Sequence, residues 1–222
     1  MTDDQTNTTS PTTHYFSWSE KPINEAWYMP LTTRCRGLVI NRDGYRGLFN
    51  DGDIDKGTQF LLDKIDDSKL RTQDSTSLNI LDLGCGSGIM PLWIMAYCEQ
   101  KKIVPIPHID ACDISPLAVT CAQHNTEKYK NIKAILSDIM TNDYFHDKQY
   151  DLIITNPPFA AGKKTVREFF RQWYGHLAPG GQMRCVAPTN KWAKSHIAYC
   201  ETIGSVTVVA VERWWRVWYI QK

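Results

Sequence analysis

With 222 residues, 42% of them apolar, the chain is long enough to bury one sizeable core. Its 25 Lys and Arg are nearly balanced by 24 Asp and Glu, and the formal charge of +1 excludes a broadly cationic nucleic-acid coat, so any polyanion site is a local patch. No apolar run approaches the roughly 18 to 20 residues that cross a bilayer, and the start Met1-Thr2-Asp3-Asp4-Gln5 lacks the basic and apolar parts of a signal peptide, so an unexported, cytoplasmic protein without a membrane partner is expected.

In chain order, residues 1–13 are polar with nothing to bury and are expected to form a disordered tail. An N-terminal extension over 14–70 follows. It opens with the aromatic run His14-Tyr15-Phe16-Ser17-Trp18, then Trp27 and Tyr28. Cys35–Ile40 and Tyr45–Phe49 read as the strands of a hairpin turning at Asn41-Arg42-Asp43-Gly44, because Asp-Gly is a preferred tight-turn pair. The spacing of Phe60, Leu61, Leu62 and Ile65 predicts an amphipathic helix from Thr58.

A regular α/β region is expected over 71–222. Strands are predicted at Asn79–Leu83, Ile109–Asp113, Ile132–Leu136, Tyr150–Thr155 and Gln182–Ala187. Helices are predicted at Ile89–Cys98, Pro116–Lys128, Gly162–Leu177 and Trp192–Ile203, the second started by Ser115 and Pro116 and the third stopped by Ala178-Pro179-Gly180-Gly181. Val206–Val211 and Val217–Ile220 close the chain as an antiparallel pair. Strands alternating with helices at this pitch predict an α/β fold, a mainly parallel seven-stranded sheet with helices on both faces. The seven cysteines include no CxxC pair, and Cys85, Cys112 and Cys185 fall in apolar runs, so neither a metal site nor a disulfide framework is expected.

In Asp82-Leu83-Gly84-Cys85-Gly86-Ser87-Gly88 the glycines let the backbone turn sharply and approach a ligand at the start of a helix. The spacing is GxGxG rather than the GxGxxG of pyrophosphate loops, and the acid before it disfavours a phosphate and suits a cationic group. Asp113 and Asp138 end the next two strands on the same sheet edge. Each alone reads equally as a turn or capping acid; together with the glycine loop they predict a site for a positively charged adenosine. Ile153-Ile154-Thr155-Asn156-Pro157-Pro158-Phe159 is a buried strand that stops at an amide, two prolines and an aromatic. The prolines stiffen this loop and leave its carbonyls free, so it either terminates a strand or holds a planar amine between Asn156, the Pro157 carbonyl and the ring of Phe159.

These motifs in this order resemble those of class I S-adenosylmethionine-dependent methyltransferases, and more narrowly the "methyltransferase small" domain proteins related to the small-subunit ribosomal RNA guanine-N2 methyltransferases. Phe49–Leu62 with Asp55-Lys56-Gly57-Thr58, His14–Pro22 and Ala161-Gly162-Lys163-Lys164 carry the resemblance over nearly the whole chain. It implies a Rossmann-like fold with S-adenosylmethionine as cofactor and RNA as partner, ribosomal RNA or a ribosomal particle. Carried over residue by residue, it implies cofactor binding by Asp55, Gly57, Thr58, Asp82, Gly84, Cys85, Gly86, Gly88, Asp113, Ile114, Asp138, Ile139 and Asn156, and catalysis by Asn156, Pro157 and Phe159. The Trp-rich end Glu212–Trp218 departs from the family's pattern, and at this length the second, degenerate domain of larger members is not expected.

Pro158 and the row Lys163, Arg167 and Arg171, with Lys164 beside it, are candidate RNA contacts, although the same row reads equally as a solvated helix face. Trp214, Trp215 and Trp218 either stack on unpaired bases or bury against the sheet. The rival activities are methylation of adenine N6 or of a protein glutamine amide, and the non-enzymatic alternative is an RNA-binding assembly module.

Overall fold

A computed structural model of the chain describes residues 28–71, 76–137, 143–189 and 191–222. The expected tail, the aromatic run 14–22 and Trp27 lie outside the described residues. Two antiparallel strands, β1 (Tyr28–Cys35) and β2 (Leu38–Tyr45), precede α1 (Lys56–Asp63). The sheet is then built from β3 (Asn79–Leu83), β4 (His108–Asp113), β5 (Ile132–Leu136), β6 (Tyr150–Thr155), β7 (Leu177–Pro188), β8 (Ser205–Val211) and β9 (Trp215–Gln221). Between these run α2 (Ile89–Lys101), α3 (Pro116–Thr126), α4 (Lys163–Gly175) and α5 (Lys191–Cys200).

The seven strands lie in the order β5-β4-β3-β6-β7-β9-β8, with β3 to β7 parallel and β9 antiparallel to both its neighbours. Period-two alternation divides the core. Ile80, Leu152 and Ile154 face α1, α2 and the hairpin, packing with Leu61, Trp93 and Ile94, while Leu81, Leu83 and Ile153 face α4 and α5, packing with Phe170, Trp173 and Ile197. Cys35, Leu38 and Ile40 of the hairpin belong to the first of these clusters, so the extension shares one core with the sheet. Strand order reverses direction between β3 and β6, and such a switch point opens a crevice at the strands' carboxyl ends.

Two local expectations are corrected. The hairpin turns at Arg36-Gly37, not at Asp43-Gly44: φ is +52° and +78° at the two residues, the pair of positive values that a two-residue turn matching strand twist requires. Arg36 is held in that conformation by hydrogen bonds to the Ile65 carbonyl and to Asp67, with its guanidinium over the ring of Tyr97. Gly44 lies inside β2 for a steric reason, since a Cβ there would meet the Asp51 carbonyl oxygen and Leu31 at 2.5 Å. Likewise Ala178–Gly181 does not separate helix from strand but forms a bulge within β7, with Gly180 N–H and Gly181 C=O paired to Lys222.

Candidate active site

A cleft of about 300 Å³ opens at the switch point. Its floor comes from the turns after β3, β4 and β6, and it is walled by Phe49–Asp55 ahead of α1, by Pro188 at the end of β7 and by Trp215 at the start of β9. Among the described residues three acids, Asp53, Asp55 and Asp113, line it and no Lys, Arg or His does. Such a surface repels phosphates and accommodates neutral or cationic ligands.

The turn after β3 is shaped by Gly84 and Gly86, with φ +85° and +52°, and a Cβ at either would meet nothing within 4 Å, so their backbone is bare toward the cleft. The N–H groups of Gly84 and Cys85 donate to the Cys112 carbonyl at 2.9 Å, and that of Gly86 donates to Asp113 Oδ2 at 2.9 Å. Asp113 Oδ1 accepts from Ser115 N–H. Burial nevertheless holds the Asp113 carboxyl above the usual carboxylate range. Asp82 sits deeper, fully buried beneath this turn with neither carboxyl oxygen hydrogen-bonded, and burial plus the neighbouring Asp113 push it well above that range. Ser87 fastens the turn to the opposite wall through a 2.8 Å bond from its hydroxyl to the Gly52 carbonyl.

After β6, Asn156 donates from Nδ2 to Asp55 Oδ2 at 3.1 Å and Thr58 Oγ1 at 3.2 Å. Asp55 is the N-cap of α1: Oδ1 accepts from Gly57 and Thr58 N–H at 2.8 and 3.2 Å, and Oδ2 accepts from the Thr58 hydroxyl. The loop's carbonyls are not free as expected. Those of Pro157, Pro158 and Phe159 accept from Phe159, Ala161 and Gly162 N–H respectively, in a short 3₁₀ turn, and each retains one lone pair. Phe159 lines the cleft with its ring 5.5 Å from that of His196, whose burial lowers its pKa to about 4 and keeps it neutral.

Of the residues singled out in the sequence, Asp55, Thr58, Gly84, Cys85, Gly86, Asp113, Ile114 and Asn156–Phe159 meet at the cleft. Asp82, Gly57 and Gly88 stand behind it: a Cβ on Gly57 would collide with Trp215 at 2.7 Å, and one on Gly88 would press on Ala122 at 3.2 Å. Asp138 and Ile139 lie outside the described residues. Lys163, Lys164 and Arg167 border a shallow depression beside the loop with Glu168 and Tyr199, Arg167 lying over the Tyr199 ring, whereas Arg171 is ion-paired to Glu168. The Trp cluster splits: Trp218 is buried in the core, Trp215 lines the cleft, and Trp214 is 66% exposed. Phe49, Asp53, Met90, Phe169 and Pro188 also line the cleft and were not singled out in the sequence, because nothing in their own residue types marks them apart from loop or core positions. All seven cysteines are buried and unbridged, and among the described residues no group of three or more His, Cys, Asp or Glu is placed to hold a metal.

The family model described as "methyltransferase small domain" matches residues 42–219. The chain is 33% identical over 183 residues to ribosomal RNA small subunit methyltransferase C of Haemophilus influenzae (strain PittGG), covering 78% of this chain and 50% of that protein. It is 28% identical to the protein YbxB of Bacillus subtilis (strain 168), covering 88% of this chain and 92% of that one. In three dimensions it resembles the 16S rRNA N2 methyltransferase RsmC of T. thermophilus, solved with AdoMet and guanosine, with a TM-score of 0.69 at 20% identity over 92% of this chain and 53% of that one. The chain thus spans about half the length of these methyltransferases.

Proposed function

The chain belongs to the methyltransferase small domain family, and from that premise we propose that it transfers a methyl group from S-adenosylmethionine to an exocyclic amino nitrogen of a nucleobase in RNA, guanine N2 of ribosomal RNA, free or in a ribosomal particle, in the cytoplasm. The observation that carries this reading is the pairing, in one cleft, of an acid-lined glycine turn with an amide acceptor set on a rigid loop. The residues present suit the cofactor. Three acids and no base favour a cationic donor, the bare backbone of Gly84 and Gly86 admits a close ligand, and Asp113, already above its usual range through burial, gains from hydroxyl donors. Cys85, Ile114, Asp55 and Thr58 complete that half of the cleft. When bound, the cofactor would supply an activated methyl on a sulfonium: the S–CH3 bond breaks as N–CH3 forms, S-adenosylhomocysteine leaves as the neutral thioether, and the proton released by the amine passes to solvent.

The chain's own residues prepare the acceptor. A base amine is a poor nucleophile because its lone pair is delocalised into the ring. Asn156 Oδ1 and the remaining lone pair of the Pro157 carbonyl accept its two hydrogens, which draws the nitrogen toward tetrahedral geometry and stabilises the positive charge that develops there. Phe159 and Trp215 both line the cleft, and the Phe159 ring is the surface on which the base would stack. Lys163 and Lys164 border the depression beside the loop, and their charge supports a phosphate-backbone contact there.

Mass spectrometry of digested ribosomal RNA from cells with and without the protein tests the reading: loss of N2-methylguanosine is expected, and loss of N6-methyladenosine instead, or no change, overturns it. Asn156→Ala is expected to lower turnover by about 10² to 10³-fold while leaving S-adenosylmethionine binding, measured by calorimetry, nearly intact.

A further inference from the structure

We propose that Asp55 is a positioning residue: through the N-terminus of α1 it holds the Asn156 amide in the one orientation that turns Oδ1 into the cleft. The proposal rests on the reading of Asn156 as the acceptor for the substrate amine. A carboxylate has no proton to offer, so only the NH2 end of an amide can face it. Asp55 Oδ2 lies 3.1 Å from Asn156 Nδ2 and Thr58 Oγ1 lies 3.2 Å from it, so two acceptors converge on the NH2 end of the amide. The Thr58 hydroxyl spends its proton on the same carboxylate, so toward Asn156 it too is an acceptor. Asp55 is itself fixed by the N–H groups of Gly57 and Thr58.

With the NH2 end turned to these two acceptors, Oδ1 is left at the other end of the amide, and no group among the described residues donates to it. The carbonyls of Pro157, Pro158 and Phe159 each have one lone pair taken by an N–H, whereas no group among the described residues donates to Oδ1, which leaves it the loop's least committed acceptor. A residue 101 positions away in sequence thereby decides whether the loop offers the substrate an acceptor or a donor. An amide turned by 180° would fill the same space and point two hydrogens at an amine that must lose its own.

Asp55→Asn is the discriminating variant because Asn is as good an N-cap as Asp and has the same shape. Its Oδ1 keeps the bonds from Gly57 and Thr58, and its NH2 replaces the oxygen that faces Asn156. Two NH2 groups then oppose each other, and Asn156 relieves the clash by turning its own oxygen toward residue 55. At saturating S-adenosylmethionine we expect kcat for methyl transfer to ribosomal RNA from cells lacking the protein to fall about 100-fold or more, with KM for that RNA within about twofold and the melting temperature unchanged, while loss of one cleft carboxylate weakens the calorimetric Kd for the cationic cofactor by no more than about tenfold. In the Asn156→Ala background the same substitution should cost nothing further. Independently of activity, the Asn156 side-chain NH2 resonance should exchange slowly with solvent in the wild type and quickly in Asp55→Asn. Wild-type kcat in Asp55→Asn, a matching loss of cofactor affinity, or unaltered side-chain exchange overturns the proposal. If Asn156→Ala itself transfers methyl normally, the reading of the site fails; if it is inactive while Asp55→Asn is active, the site stands and this inference alone falls.

Discussion

Asp82 and His196 are both driven toward neutrality by burial, and they bend the stability curve in opposite directions. The Asp82 carboxyl is raised, so the folded chain keeps a proton that the unfolded chain releases above the usual carboxylate range. Its contribution is present below that range and is lost as pH rises through it toward the raised folded value. Asp82→Asn, uncharged at every pH, should therefore gain stability relative to wild type as urea midpoints are followed from about pH 4.5 to about 8. His196 is lowered from 6.5 to about 4, so its contribution is complete above 6.5 and lost as pH falls toward 4. His196→Asn should flatten the acid limb between those values and leave the alkaline side unchanged.

At the scale of elements, the two glycines of the hairpin do different work. Gly37 is in the turn and has open space around its Cα, so Gly37→Ala costs backbone strain alone, about 1 kcal/mol. Gly44 has ordinary φ but sits against the Asp51 carbonyl, so Gly44→Ala must displace backbone, at about 1 to 3 kcal/mol. A Gly37→Ala variant that costs nothing in denaturant unfolding would take the turn away from Arg36-Gly37. The displaced turn has a physical cause. Asp-Gly is a turn signal only when the chain is free to turn there, whereas this Gly is small because the 3₁₀ turn Phe49–Gly52 crosses it. Asp43 is spoken for as well, through Asn125, which takes both Asp43 N–H and C=O, and through His124. The central strands of the sheet were legible because both of their faces are covered, so each reads as a short, nearly continuous apolar run.

At the scale of the molecule, a chain of formal charge +1 must gather its cations locally to hold RNA. Of the predicted row, Arg171 is neutralised by Glu168 and Arg167 is laid over Tyr199, which leaves Lys163 and Lys164 at the edge of the depression beside the loop. The double variant Lys163→Ala, Lys164→Ala is expected to weaken RNA binding across sequences and to reduce the salt dependence of log K by roughly 0.7 to 0.9 for each phosphate that is no longer neutralised. Cofactor affinity should not change. A titration showing unaltered affinity and salt slope would move the RNA path elsewhere. Trp214, exposed with Arg213 over its ring, lies near the cleft through its neighbour Trp215.

By itself the amino-acid sequence determined the alternation of strands and helices, the glycine turn, the acid at the end of β4 and the amide loop at the end of β6. Each of these is a local pattern, written in apolar periodicity, in residues of special backbone freedom, or in short polar motifs after a strand. Only the tertiary structure decided which of these groups face the ligand. Asp82 and Gly88 belong to the glycine motif but are spent on the interior, while Trp215 and Pro188 enter the cleft from strands far along the chain. The orientation of Asn156 was decided there too, since a hydrogen bond spanning 101 residues depends on how α1 is docked against the sheet, which no local pattern encodes.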